Sequence, residues 1–190
     1  YPDGRHFFCR SPAQAITLVG EPDINPHTLA AWCKEQLLAL FPDEVQGLEL
    51  AFVPERIDGA FYHYSHGMHQ HDGNCQRIAH GHRSKIEIYL DDQREEGLEA
   101  QWSERLRDIY IGTRSHLVGT ADGLHHYRYD APQGEFELKL PAQYCYDIDT
   151  ETTVEQIQLH LACAIKKEHP GADVRVRAFE GVGKGAIATA

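Results

Sequence analysis

Six of the thirteen histidines fall in one stretch, FYHYSHGMHQHDGNCQRIAHGHRSKIEIYL, residues 61–90. They are His63, His66, His69, His71, His80 and His82, and Cys75 lies among them. Imidazole nitrogen and thiolate sulfur are the donors that hold borderline and soft transition metals. His80 and His82 are two apart, so on a strand both rings face the same side. His66, at the end of the preceding strand-like run, can supply a third nitrogen from the neighbouring strand. Three histidines with a fourth position open make a catalytic zinc arrangement rather than a structural one. The open position can polarise a substrate oxygen or hold an activated water. Iron, nickel or manganese also suit three imidazoles. The plain alternative is a His-rich solvated loop. Six histidines in the twenty residues from His63 to His82 argue against it.

Two strands must position these rings. Ala60–Tyr64 is aromatic-rich, and Ser84–Leu90 alternates Ile86, Ile88 and Leu90 with Lys85, Glu87 and Tyr89. Asp72, Gly73 and Asn74 lie in the polar connection between them. Upstream, Ala15–Val19 reads as a short strand. Leu29, Trp32, Cys33, Leu37, Leu40 and Phe41 recur at helical spacing behind a cap at Asn25 or Thr28, and Pro42 ends that helix. Leu48, Leu50 and Phe52 alternate as a strand. Downstream, Asp91–Glu99 is charged and reads as exposed, and 102–109 fits a short helix or an extended segment equally. His125–Tyr129 and Phe136–Leu140 form a hairpin about Pro132-Gln133-Gly134, and Tyr144–Ile148 is a further strand. Val154, Ile157, Leu161 and Ile165 make a helical stripe that Pro170-Gly171 stops. Val174–Ala178 and Ala186–Thr189 close the chain as strands.

Composition bounds the function classes. The chain has 190 residues, 42% of them hydrophobic, and a formal charge of −11. No basic run exists, which speaks against a nucleic-acid partner. No apolar stretch is long enough to span a membrane, and no signal peptide pattern is visible. Five scattered cysteines, an odd number, suit a reducing cytoplasm better than a disulfide framework. The first residue is Tyr1 and the only methionine is Met68, so the sequence reads as a fragment or a trimmed chain.

The order of a strand-end His66, then Cys75, then His80-Gly81-His82 resembles the 6-pyruvoyltetrahydropterin synthase / 6-carboxytetrahydropterin synthase family. The resemblance implies an α+β tunnelling fold, an antiparallel sheet with helices packed on one face. It implies zinc held by His66, His80 and His82, with Cys75 as the catalytic thiol. The family's common spacing is Cys-x3-His-x-His; here it is Cys-x4-His-x-His. Thr152-Thr153-Val154-Glu155 resembles the Pro-Thr-x-Glu motif that opens the family's second helix, without its proline. Val176-Arg177-Ala178-Phe179-Glu180 resembles the strand whose glutamate grips the pterin edge. One carboxylate can accept two parallel hydrogen bonds from an N–H and an NH₂. Glu180, Thr153 and Glu155 are therefore the expected substrate-binding residues. Thr153 and Glu155 are also sufficiently explained as an N-cap and a first-turn acid. The family's Leu-Asp-His motif has only a partial echo in Gly123-Leu124-His125-His126, which makes His125 the expected proton-shuttling histidine.

The function this implies is a zinc-dependent carbon–oxygen lyase acting on 7,8-dihydroneopterin triphosphate. Its product would be a 6-carboxy- or 6-pyruvoyl-tetrahydropterin, within queuosine or biopterin biosynthesis. Arg77, Arg83, Lys85 and Lys184 are the cations near the site available to a triphosphate. The alternative is a zinc- and pterin- or purine-binding homologue without that turnover. A homo-oligomer is implied, because the family's sites lie between subunits. Residues 60–190 read as the zinc-bearing unit with a β-rich insertion at about 115–140. Residues 1–59 read as a partial, degenerate first tunnelling-fold half.

Overall fold

The computed structural model describes residues 4–190. Its strands are β1 (Phe8–Arg10), β2 (Phe61–His66), β3 (His80–Leu90), β4 (Gln93–Arg94), β5 (Ile109–Thr113), β6 (Leu117–Ala121), β7 (Leu124–Ala131), β8 (Gly134–Pro141), β9 (Cys145–Ile148), β10 (Val174–Phe179) and β11 (Gly185–Thr189). Its helices are α1 (Pro26–Leu38), α2 (Glu96–Arg105) and α3 (Val154–Glu168). The class is α+β. The chain divides into two compact units, Ile16–Arg56 and the remainder.

In the larger unit the strands run in the order β11-β10-β3-β2-β5-β9, with β4 added on β3. Pairing is antiparallel from β11 to β2, while β5 and β9 run parallel to their inner neighbours. Period-two alternation decides which side is buried. Tyr62 and Tyr64 of β2, Ile86 and Ile88 of β3, and Val174 and Val176 of β10 share one face. Helices α2 and α3 cover that face with Trp102, Leu106, Ile157, Leu161 and Ile165. The α3 stripe is the one the 3.6-residue spacing predicts. On the opposite face of this part of the sheet, Lys85 and Arg177 each pair with Glu87 at 2.9 Å.

A second sheet is ordered β1-β8-β7-β6. Its core of Tyr127, Tyr129, Phe136, Leu138 and Leu140 packs with Tyr110 of β5 and with Ile78. The ambiguous 102–109 stretch divides between two elements: Trp102 belongs to α2 and Ile109 opens β5. Its apolar residues fit both periods because a helix gives way to a strand within it.

Three expectations are corrected. Asp91–Glu99 is not uniformly exposed: Glu99 is 1% exposed. Its carboxylate accepts the Ile88 N–H at 3.1 Å and two guanidinium hydrogen bonds from Arg94, at 2.8 and 2.9 Å. Ala15–Val19 is not a strand; a single 3₁₀ turn spans Ala13–Ala15. Leu48–Phe52 is not a strand either, although α1 forms as predicted, capped reciprocally by Asn25 and Thr28. No residue of Ile16–Arg56 is buried. Alternation makes a strand only where a partner strand completes its ladder. Among the described residues no helix is long and apolar enough to cross a membrane.

Gly67, just after β2, is a close-packed point. A Cβ there would lie 2.6 Å from the Ile78 Cα and 2.9 Å from the Ile78 carbonyl oxygen, both backbone atoms. Gly67→Ala is expected to cost about 1–3 kcal/mol through overpacking. Gly97→Ala, inside α2 with nothing within 4 Å of the new methyl, is expected to gain about 0.5–1 kcal/mol from helix propensity. Thermal unfolding of both variants checks the contrast. Equal midpoints would refute it.

Candidate functional site

The register of β2 against β3 builds the central cluster. His66 lies directly opposite His80, and Tyr64 opposite His82. Cross-strand partners share a face, so His66 joins His80 and His82 on the helix-facing side. The ring centroids are 4.2 Å apart for His66 and His80, 5.0 Å for His66 and His82, and 5.1 Å for His80 and His82. One ring nitrogen from each lies within 4.8 Å of the others.

Neighbouring groups set the tautomers. His80 Nδ1 lies 2.8 Å from the Arg77 carbonyl oxygen, an acceptor only, so Nδ1 carries the proton. His66 Nδ1 lies 2.9 Å from the Thr152 hydroxyl, which in turn donates to the Gly67 carbonyl at 3.4 Å. That hydroxyl is thereby oriented to accept from His66 Nδ1–H. In both rings Nε2 keeps its lone pair for the centre of the cluster. Such outer partners are how proteins fix the orientation and basicity of a metal-binding imidazole. Burial, then the proximity of His80 and His82, pushes the His66 pKa down to about 2. The His80 pKa is also lowered, chiefly by burial. Both rings are held neutral, the form that ligates a metal.

The buried Nε2 atoms of His66, His80 and His82 all lack a hydrogen-bond partner among the described residues. An unpaired buried nitrogen costs about 1–3 kcal/mol, and a single cation would take up all three lone pairs. A zinc ion held there would keep its fourth position open. The residues therefore fit the metal the spacing calls for.

The remaining expected site residues fall in three places. Cys75 sits in the 3₁₀ turn Gly73–Gln76 and is half-buried. Its carbonyl accepts the Met68 N–H at 3.0 Å, which ties the turn to the end of β2. Glu180 follows β10, with a side chain 7% exposed and ion-paired to Lys184. Its charge acts on His80 and Tyr64, and Lys184 in turn lies within electrostatic reach of Cys75 and Glu155. Lys184 thus stands within electrostatic reach of both Glu180 and Cys75. Of the expected triphosphate-binding cations, Lys85 and Lys184 are engaged by Glu87 and Glu180. Thr153 caps α3, accepting the Gln156 N–H at 3.4 Å, and Glu155 is an exposed first-turn acid.

His125 is on β7 of the second sheet. Its Nδ1 is 3.1 Å from the Tyr127 hydroxyl and 3.7 Å from Asp147, and Tyr127 donates to Asp147 at 2.7 Å. No hydrogen bond joins it to the histidine triad among the described residues. Thr152 is a site residue the sequence reading missed; its place beside Thr153 in the helix-opening motif was the available signal. Thr152→Val is expected to weaken metal binding by the three histidines about 10–100-fold. Competition with a chelator of known affinity checks this; unchanged affinity would remove Thr152 from the site.

No family model and no curated protein matches the chain. Solved structures do. The 6-pyruvoyltetrahydropterin synthase of Plasmodium vivax matches at 11% identity over 69% of this chain and 90% of that one, with a TM-score of 0.48. A catalytic-residue mutant of it matches at 14% identity over 68% and 91%, with a TM-score of 0.47. The Plasmodium falciparum enzyme matches at 12% identity over 68% and 91%, also with a TM-score of 0.47. These structures belong to the family the histidine and cysteine pattern resembles. At these values the likeness carries nothing about substrate or reaction.

Proposed function

We propose that this protein is a zinc-dependent pterin synthase, a lyase converting 7,8-dihydroneopterin triphosphate to a 6-carboxy- or 6-pyruvoyl-tetrahydropterin. The observation that carries the reading is the convergence of three imidazoles, that of His66 fully buried, with their nitrogens within 4.8 Å of one another. His66, His80 and His82 hold the metal, which when bound supplies Lewis-acid polarisation of a substrate oxygen. Glu180 accepts hydrogen bonds from the N–H and NH₂ of the pterin edge and so fixes the ring. Cys75 removes or returns the proton on the side-chain carbon next to the ring. Triphosphate leaves as the side chain isomerises to the 6-pyruvoyl product; the 6-carboxy product requires in addition a carbon–carbon cleavage that releases the two outer side-chain carbons as acetaldehyde. The protein assembles as a homo-oligomer in this reading, and residues 1–59 derive from a degenerate first half.

The test is incubation with 7,8-dihydroneopterin triphosphate and identification of the pterin product by mass spectrometry. Cys75→Ala is expected to lower kcat about 10²–10⁴-fold, the range of a lost general acid–base. Glu180→Gln is expected to lower kcat/KM about 10–100-fold, because a charged hydrogen-bond acceptor becomes neutral. Turnover indifferent to both substitutions would sink the assignment. A second reading, a zinc- and pterin- or purine-binding homologue without this turnover, is favoured by the extra residue between Cys75 and His80 and by the leucine that stands before His125 where the family has aspartate. It predicts ligand binding with no released triphosphate.

A further inference from the structure

A second group of ligating side chains lies beside the first. His69 comes from the connection after β2, His116 from the 3₁₀ turn between β5 and β6, and Glu151 from the connection between β9 and α3. We infer that these three residues form a second cation site, selective for a divalent first-row transition metal and distinct from the His66–His80–His82 set.

The three atoms involved are already in contact. His69 Nδ1 lies 2.5 Å from Glu151 Oε1, His116 Nε2 lies 2.8 Å from His69 Nδ1, and His116 Nε2 lies 3.4 Å from Glu151 Oε1. Two ring N–H groups can serve at most two of these three contacts. One cation serves all three together. Around an ion at the usual Zn–N and Zn–O lengths, tetrahedral ligands sit about 3.4 Å apart, so the cluster needs to widen by less than about 1 Å. The other carboxylate oxygen, Glu151 Oε2, is buried with no hydrogen-bond partner among the described residues, and His116 is 6% exposed. The Tyr129 ring backs the cluster at 4.7 Å from the His116 ring. The His69 side chain, 30% exposed, leaves a side open to solvent.

Two imidazoles and one carboxylate suit zinc, iron or cobalt. Magnesium and calcium prefer all-oxygen sets. The neighbouring residue Thr152 holds His66, so the two sets share one short connection. The inference does not rest on the pterin reading.

The test uses the full chain, stripped with chelator, reloaded with zinc and dialysed. Metal content is read by inductively coupled plasma mass spectrometry and folding by circular dichroism. About two zinc ions per chain are expected in the wild type, about one in His116→Ala, and about one in Glu151→Gln, which keeps the side chain's size. His80→Ala is expected to hold about one by losing the other site, and the His80→Ala/His116→Ala double variant none. About one zinc in the wild type, or a content unchanged by both His116→Ala and Glu151→Gln, overturns the second site. A content unchanged by His80→Ala instead counts against the first.

Discussion

His80→Ala is expected to remove about one equivalent of zinc per chain and to lower turnover of dihydroneopterin triphosphate about 10³-fold. Metal-based charge stabilisation is worth several kcal/mol, and each 1.4 kcal/mol is a decade in rate. The substitution removes one of three converging nitrogens and also the ring held by the Arg77 carbonyl. His82→Ala is expected to do the same. His63→Ala, on the opposite face of β2 and half exposed, is expected to change neither zinc content nor rate. Metal analysis with steady-state kinetics checks the set. Full zinc in His80→Ala, or zinc lost equally in His63→Ala, would show that the β2–β3 register does not build the site.

Glu99→Ala is expected to destabilise the fold by about 1–3 kcal/mol, because the Ile88 N–H of β3 loses the buried carboxylate that accepts it. The Arg94 guanidinium, 38% exposed, loses two hydrogen bonds as well but can turn to solvent. For a chain of this size the loss corresponds to a fall in Tm of about 2–12 °C. Glu96→Ala, exposed on the same helix, is expected to stay within about 0.5 kcal/mol of the wild type. Differential scanning calorimetry decides the matter. A Glu99→Ala midpoint matching that of Glu96→Ala would mean the carboxylate is not a structural anchor.

The Glu99 case shows where reading by composition stops. The run Asp91–Glu99 is dense in charge, and a charged run is normally a solvated face. Nothing local distinguishes Glu99 from Glu95 or Glu96. Its burial depends on α2 folding back over β3 so that one of its acids meets Arg94 and an N–H of the strand. The Leu48–Phe52 stretch fails in the opposite sense. Its alternation is that of a strand, yet among the described residues no strand pairs with it.

His125 and His116 make the same point within the site. His125 stood next to a motif-like echo, but its strand places it in the second sheet against Tyr127 and Asp147. His116 carries no local signal, and it reaches Glu151 and His69 because β5 runs parallel to β2 and ends near the start of α3.

The sequence by itself determined the amphipathic helix α3, the strands flanking the histidines, and the common facing of His80 and His82. Those properties follow from period-two and 3.6-residue geometry, which is local to each segment. Only the tertiary structure decided that His66 lies opposite His80, that Thr152 orients it, and that Glu151 reaches His69 across 82 residues. Strand register and loop closure are set by which distant segments pack together, and that depends on the whole core rather than on any one stretch.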